Sequence, residues 1–313
     1  MLVENFINQS IFPIVVYVIR IPTYLLVVNF DKIFKQQILL YPQLINKILV
    51  TCLIFVFNLI IILYVNQKEI LMKNYLEYNF TTRFDDVGPT RTMMPHNIVS
   101  TFQLCSNNHS DILGVGVEDI RQSCNGKWVV LKAKFEFDRF PTINEPLTVS
   151  TWPLQTRMLF PRCFELKQGE NSLVRGRMEY GVINEETNRL VLPKYVGELG
   201  IDEFLPSGMH DDSYTNATCE FDENDFVYNK IIRLSELDYN QHGNNIAYIK
   251  MATDCYTFEE YSNLNIKVLE MYYSNQCFEG DQIHLYKKYI DDKCIIEGKT
   301  DAKSIFRAVF ILN

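Results

Sequence analysis

The chain is poor in the residues that hold metals. Five histidines are scattered over 313 residues with no partner spacing, and the eight cysteines include no Cys-x-x-Cys. A zinc site is therefore not expected, and in so long a chain these cysteines read as buried thiols of a reducing, cytoplasmic compartment. Excess positive charge is missing too: 30 Lys and Arg face 38 Asp and Glu, a net charge of −8, with no basic stripe. That excludes nucleic acid as the expected partner. Nothing in the sequence calls for a cofactor. What is abundant is apolar surface, 47% of residues, with an aromatic share of 13%. This is enough for a sizeable core, β-rich packing or an apolar pocket.

Long uncharged runs are confined to the N-terminal part. Ile48 to Val65 carries no charge and is long enough to cross a bilayer, while Ile11 to Phe30 is interrupted by Arg20. Lys32, Lys35 and Lys47 lie between the two runs, so the positive-inside rule would place everything beyond residue 66 outside the cell. Met72-Lys73-Asn74 resembles the start of a soluble protein. Residues 1–71 are thus expected to be either a membrane anchor or upstream sequence translated in frame, and the topology argument favours the second. Membrane association is expected only if they are native.

From Met72 the pattern is α+β. Strand character over Tyr78–Val87 ends at Gly88-Pro89, and a helix follows with Ile98, Thr101, Phe102 and Cys105 on one face; Asn107, Asn108 and Ser110 should weaken its end. Trp128–Phe137 alternates Leu131, Ala133, Phe135 and Phe137 with Lys132, Lys134 and Glu136, the signature of a strand with one wet face. More strands fit Leu147–Trp152, Met158–Leu166 and Leu173–Ile183. Residues 193–227, acidic and broken by proline and glycine, read as a linker or partly ordered crossover. The first pattern then returns as a strand near Val227–Leu234, a helix and further strands.

The return has a fixed offset. Setting Arg83 against Arg233, 150 residues on, superimposes the stripe Ile98, Phe102, Cys105 on Tyr248, Ala252, Cys255. The polar residues do not repeat: Asp238, Asn240 and His242 stand opposite Gly88, Thr90 and Thr92. In the second copy a carboxylate, an amide and an imidazole therefore sit just ahead of a helix that Asn244 or Asn245 can open, where free backbone N–H groups can hold an oxyanion. That layout suits acyl hydrolysis. Asp238 has a second reading, as a brace for the turn before the helix.

Several strings resemble the acyl-acyl-carrier-protein thioesterases. In the first half they are Gly126-Lys127-Trp128-Val129-Val130, Phe140-Pro141, Glu145-Pro146-Leu147-Thr148-Val149 and Thr151-Trp152-Pro153. In the second they are Asp238-Tyr239-Asn240-Gln241-His242-Gly243-Asn244-Asn245 with Tyr248, then Gly280-Asp281. The resemblance implies two tandem hot-dog domains, each a long helix wrapped by an antiparallel sheet. The expected segments are 72–192 (substrate-binding, catalytically degenerate), the linker 193–227 and 228–313 (catalytic). It further implies release of fatty acids from acyl carrier protein, with Asp238, Asn240 and His242 catalytic. Gln276 stands where the family places a glutamate, on an expected strand Tyr273–Asp281 that would turn Glu279 to the other face. A glutamine orients water but cannot take its proton.

In this reading Asp238 acts on water or on the thioester, His242 and the N–H groups near Asn244 and Asn245 polarise the carbonyl, and Asn240 fixes the water or the carboxylate. Asn244, Asn245, Tyr248, Trp128 and Phe102 are the candidate substrate-binding residues, although Tyr248 reads as core before pocket and Trp128 and Phe102 read as hydrophobic core. Cys277 reads as a buried strand cysteine. An acyl-CoA thioesterase and an acyl-binding protein with impaired turnover are the competing functions, and a monomer or homodimer fits either.

Overall fold

In the computed structural model the described residues are 56 and 73–312, apart from 198 and 202. The expectations for the leader, including the run Ile48 to Val65, fall outside them, as does its membrane role. No helix among the described residues is long and apolar enough to cross a membrane. The unit Asn66–Asn313 holds everything below.

Eleven strands form one sheet in the order β1-β3-β4-β5-β2-β8-β11-β10-β9-β7, with the short β6 added to β5. The first five are β1 (Leu76–Thr81), β2 (Gly126–Phe137), β3 (Pro146–Pro153), β4 (Phe160–Gln168) and β5 (Asn171–Asn184). After β6 (Leu190–Val191) come β7 (Phe226–Ile231), β8 (Ile266–Tyr273), β9 (Gln282–Ile290), β10 (Lys293–Lys299) and β11 (Ser304–Leu312). Each half has the same strand order, and the halves meet where β2 pairs antiparallel with β8, Lys132 opposite Tyr272 through Glu136 opposite Val268. This is the tandem hot-dog fold.

The offset of 150 is visible residue by residue. β1 starts at Leu76 and β7 at Phe226; helix α1 (Pro95–Ile112) starts at Pro95 and the second-half helix at Asn245. After α1 come α2 (Val117–Cys124) and the one-turn α3 (Pro193–Val196), then α4 (Asn245–Thr253) and α5 (Phe258–Asn263). Proline at the first helical position opens α1, where a missing N–H costs nothing. Asn107 and Asn108 do not stop it: α1 runs three turns past Phe102, because burial of Cys105, Ser106 and His109 outweighs their weak propensity. The expected strand to Val87 instead ends at Thr81 and becomes a single 3-10 turn, Phe84–Asp86.

α1 and α4 pack on each other and on one face of the sheet. Two glycines admit rings to the strands: a side chain on Gly176 would meet Phe135 and Phe102, and one on Gly298 would meet Phe306 at 2.3 Å. Phe102 stacks on Phe164 at 5.1 Å and Phe135 at 6.1 Å, and Tyr248 stacks on Phe306 at 5.1 Å. Such pairs add about 0.5–1.5 kcal/mol beyond their burial.

The opposite face corrects the sequence reading of β2. Lys134 and Glu136 are 5% and 7% exposed, because residues 203–225 lie across this face rather than hanging as a loose linker. Asn74 and Trp152 donate to the carbonyls of Glu203 and Pro206, and Glu136 accepts the His210 and Asp211 N–H groups. Lys134 donates to the Ser213 carbonyl, Glu270 accepts the Thr215 N–H, and Arg307 and Lys288 donate to the carbonyls of Ala217 and Glu220. The strap thus traverses the sheet from β3 to β9, and the charges beneath it replace the strand partners its backbone lacks.

Candidate active site

Directly after the 3-10 turn Leu234–Glu236, the chain makes a tight loop that ends as α4 begins. The Asp238 N–H donates to the His242 carbonyl at 2.7 Å, Gln241 N–H donates back to Asp238 at 3.0 Å, and Leu237 bridges Gly243. Gln241 takes a φ of +63° to close the loop; Arg91, its counterpart, takes +64° in the first repeat. The loop backbone is therefore shared, and only the side chains differ.

Asp238 braces the loop and also lines a cleft. Its Oδ1 accepts the backbone N–H groups of Asn240 at 2.8 Å and His242 at 3.1 Å, bracing the loop. Its Oδ2 accepts no hydrogen bond among the described residues, and the side chain lines a cleft of about 620 Å³. Asp238 is the one carboxylate among the residues lining that cleft, beside Asn240, His242, Asn245, Tyr248 and Gln276. The His242 ring meets the edge of Phe278 at 5.2 Å. Burial, and next the nearby Lys127 charge, push the His242 imidazole below its ordinary value, with Asp238 opposing.

The cleft exists because two strands of the continuous sheet part. β2 begins at Gly126 but pairs with β8 only from Lys132, just past a bulge at Val130–Lys132. The edge of β2 over Lys127–Leu131 is left open and lines the cleft, with Trp128, Val129, Val130 and Leu131 supplying an apolar wall from the first repeat. Across from it, residues 274–278 are irregular. Gln276 is therefore not on a strand, as expected from the sequence, but on a loop facing the cleft, with Glu279 exposed beyond it. The Lys303 ammonium holds this loop by donating to the Gln276 carbonyl at 3.0 Å.

The remaining candidates divide. Asn244 caps α4, its side chain accepting the Ile246 N–H at 2.9 Å, and its own N–H is spent on the Glu236 carbonyl. It does not line the cleft, whereas Asn245 does, and the Asn245 N–H bonds to nothing among the described residues. Trp128 and Tyr248 line the cleft; Phe102 does not, being locked in the stack on Phe164 inside the first repeat. Cys277 is buried, its thiol hydrogen-bonded to Tyr248 at 3.2 Å and pushed up chiefly by burial, so it is no activated nucleophile. The two cations of the cleft received no role from sequence reasoning. Lys127 appeared only within a family string, and Lys303 arrives from a turn no motif marks.

Fold and site together define a tandem hot-dog protein in which both repeats line a cleft with a polar head and an apolar wall. The chain belongs to the acyl-ACP (acyl carrier protein) thioesterase family: residues 73–195 match the N-terminal domain of that family and residues 219–306 its C-terminal domain. It is 26% identical over 214 residues to a chloroplastic acyl-[acyl-carrier-protein] hydrolase of Cuphea viscosissima, covering 64% of this chain and 51% of that protein. A chloroplastic palmitoyl-acyl carrier protein thioesterase of Arabidopsis thaliana is 26% identical over 212 residues, with the same coverage of 64% and 51%. The chain spans about half the length of these curated relatives. Among solved structures, a 12:0-ACP thioesterase of Umbellularia californica superimposes with a TM-score of 0.69 at 19% identity, over 76% of this chain and 97% of that one. An acyl-ACP thioesterase of Bacteroides thetaiotaomicron gives 0.66 at 20% identity, over 76% and 98%. These likenesses carry the fold.

Proposed function

We propose that this protein hydrolyses acyl thioesters borne by acyl carrier protein, releasing the free fatty acid. The observation that carries the reading is the Asp238 carboxylate: braced through Oδ1 and with Oδ2 unbonded among the described residues, it belongs to the lining of a cleft whose far wall is apolar. The acyl chain lies along Trp128–Leu131 and Tyr248, and its thioester carbon sits before Asp238. Asp238 takes the proton of the attacking water, Asn240 and Gln276 orient that water, and the His242 N–H and Asn245 backbone N–H receive the oxyanion. The thiolate leaves and is protonated on departure. No metal or cofactor enters this scheme.

Family membership supports acyl carrier protein over coenzyme A as the carrier, and the free cysteines among the described residues suit a reducing, cytoplasmic setting. The test is to incubate the full chain with acyl-ACP and acyl-CoA thioesters and quantify free acid. Release from acyl-ACP at a higher kcat/KM supports the reading; release from acyl-CoA alone reassigns the carrier. Gln276 at the cleft favours one alternative, an acyl-binding protein with impaired turnover. Stoichiometric acyl-ACP binding without free acid, with turnover appearing in Gln276→Glu, would establish that instead.

A further inference from the structure

The catalytic loop belongs to the second repeat, yet a cation of the first repeat faces it. Lys127 is the second residue of β2, on the open edge that β8 does not cover. It lines the cleft with Asp238 and His242, and also a polar hollow of about 440 Å³ with Arg121, Glu185, Tyr239, Asn240 and Gln241. It stands where the two meet. Arg121 is engaged with Glu118 and Glu185, and Lys303 with the Gln276 carbonyl. The Lys127 ammonium makes no ion pair or hydrogen bond among the described residues, while its backbone lies in the β2–β5 ladder opposite Ile183.

We propose that Lys127 is a positioning residue of this site: its ammonium, delivered by the first repeat, keeps the His242 imidazole neutral and N–H-donating beside the Asp238 carboxylate. The proposal rests on the catalytic reading above. A protonated imidazole beside Asp238 would pair with the free Oδ2 and remove the acceptor that the attacking water needs. A neutral imidazole leaves Oδ2 open and still donates one N–H to the carbonyl oxygen. The charged groups facing His242 are Asp238 from its own loop, Lys127 from β2 and Lys303 from the β10–β11 turn, with the Arg121–Glu185 pair in the adjoining hollow. Asp238 favours the imidazolium and Lys127 disfavours it, as burial does. The degenerate first repeat thereby takes part in the chemistry through charge, without contributing a group to the reacting atoms.

The test uses the full chain and its Lys127→Met and Lys127→Arg variants. Histidine ring resonances are followed by NMR against pH, with His242→Asn identifying the His242 signal. In parallel, kcat/KM for an acyl-ACP thioester is measured from pH 5 to 8. In Lys127→Met the His242 titration should move up by about half a pH unit or more, and the acid limb of kcat/KM should move with it, a roughly threefold loss on that limb. Lys127→Arg should restore both, which a purely structural lysine would not predict. An unmoved His242 titration in a folded Lys127→Met protein overturns the proposal. If no form hydrolyses acyl-ACP, the functional reading fails, and the NMR titration still decides whether Lys127 sets the His242 charge.

Discussion

Asp238→Asn separates the two duties of that side chain. Asparagine keeps a carbonyl Oδ1 for the Asn240 and His242 N–H groups, now 2.8 and 3.1 Å from the carboxylate, and loses only the charge. Charge-assisted bonds are worth roughly 1.5–3 kcal/mol and neutral ones about 0.5–1.5. In a loop that water reaches, the two bonds together should lose only about 1 kcal/mol. Against a total stability of about 5–15 kcal/mol, the variant stays folded. Its activity should nevertheless fall by about 10²–10⁴, the usual contribution of a general base, or about 3–5 kcal/mol of barrier. Asp238→Ala loses brace and base together, with a stability loss of roughly 2–3 kcal/mol. Urea unfolding and acyl-ACP hydrolysis, measured on the same preparations, read both quantities. An Asp238→Asn protein within tenfold of the parent's kcat would refute the reasoning and leave Asp238 as a brace alone.

Other outcomes follow from particular contacts. In Gly243→Ala the new methyl would lie 2.5 Å from the Cys277 sulfur and 2.6 Å from the Tyr248 hydroxyl. Overpacking there should cost about 1–3 kcal/mol by urea unfolding and open the loop; an unchanged midpoint would contradict the contact. Glu270, 0% exposed, lies 3.7 Å from Lys134 and accepts the Thr215 N–H at 2.9 Å, tying strap to sheet. Glu270→Leu should destabilise by about 3–5 kcal/mol and raise hydrogen exchange at 210–217; Glu270→Gln, still an acceptor, should do clearly less. Arg139 holds the Glu145 carboxyl at about 2, helped by the Thr142 N–H and hydroxyl. Since the folded value lies below the unfolded one, this contribution is complete above about pH 4.5 and is lost as pH falls toward 2. Screening at the exposed arginine limits it to about 1 kcal/mol, so Glu145→Gln should flatten the dependence of the urea midpoint on pH in that window.

Much of this molecule was legible before any coordinates. The offset of 150 residues was readable because both repeats solve the same local problem, a strand, a tight loop and a helix start, with the same turn chemistry. The loop before α4 was readable because Asp238, Asn240, His242 and the cap Asn244 lie within a few residues of one another. Local sequence determines those interactions, whatever surrounds them.

Tertiary structure decided what the periodicity could not record. Alternation in β2 showed which side chains share a face, and so Lys134 and Glu136 read as wet; only folding lays residues 203–225 over them. A helical stripe placed Phe102 and Tyr248 alike, and both are buried in the core, but only Tyr248 also borders the cleft. Gln276 and Lys127 line one cleft because β8 stops where β2 continues, a property of strand pairing between segments more than 130 residues apart in the chain. The sequence by itself determined the repeat and the loop, since those rest on neighbours along the backbone. The cleft, its apolar wall and the charge that faces His242 were decided by register across the two halves, where partners are set by packing.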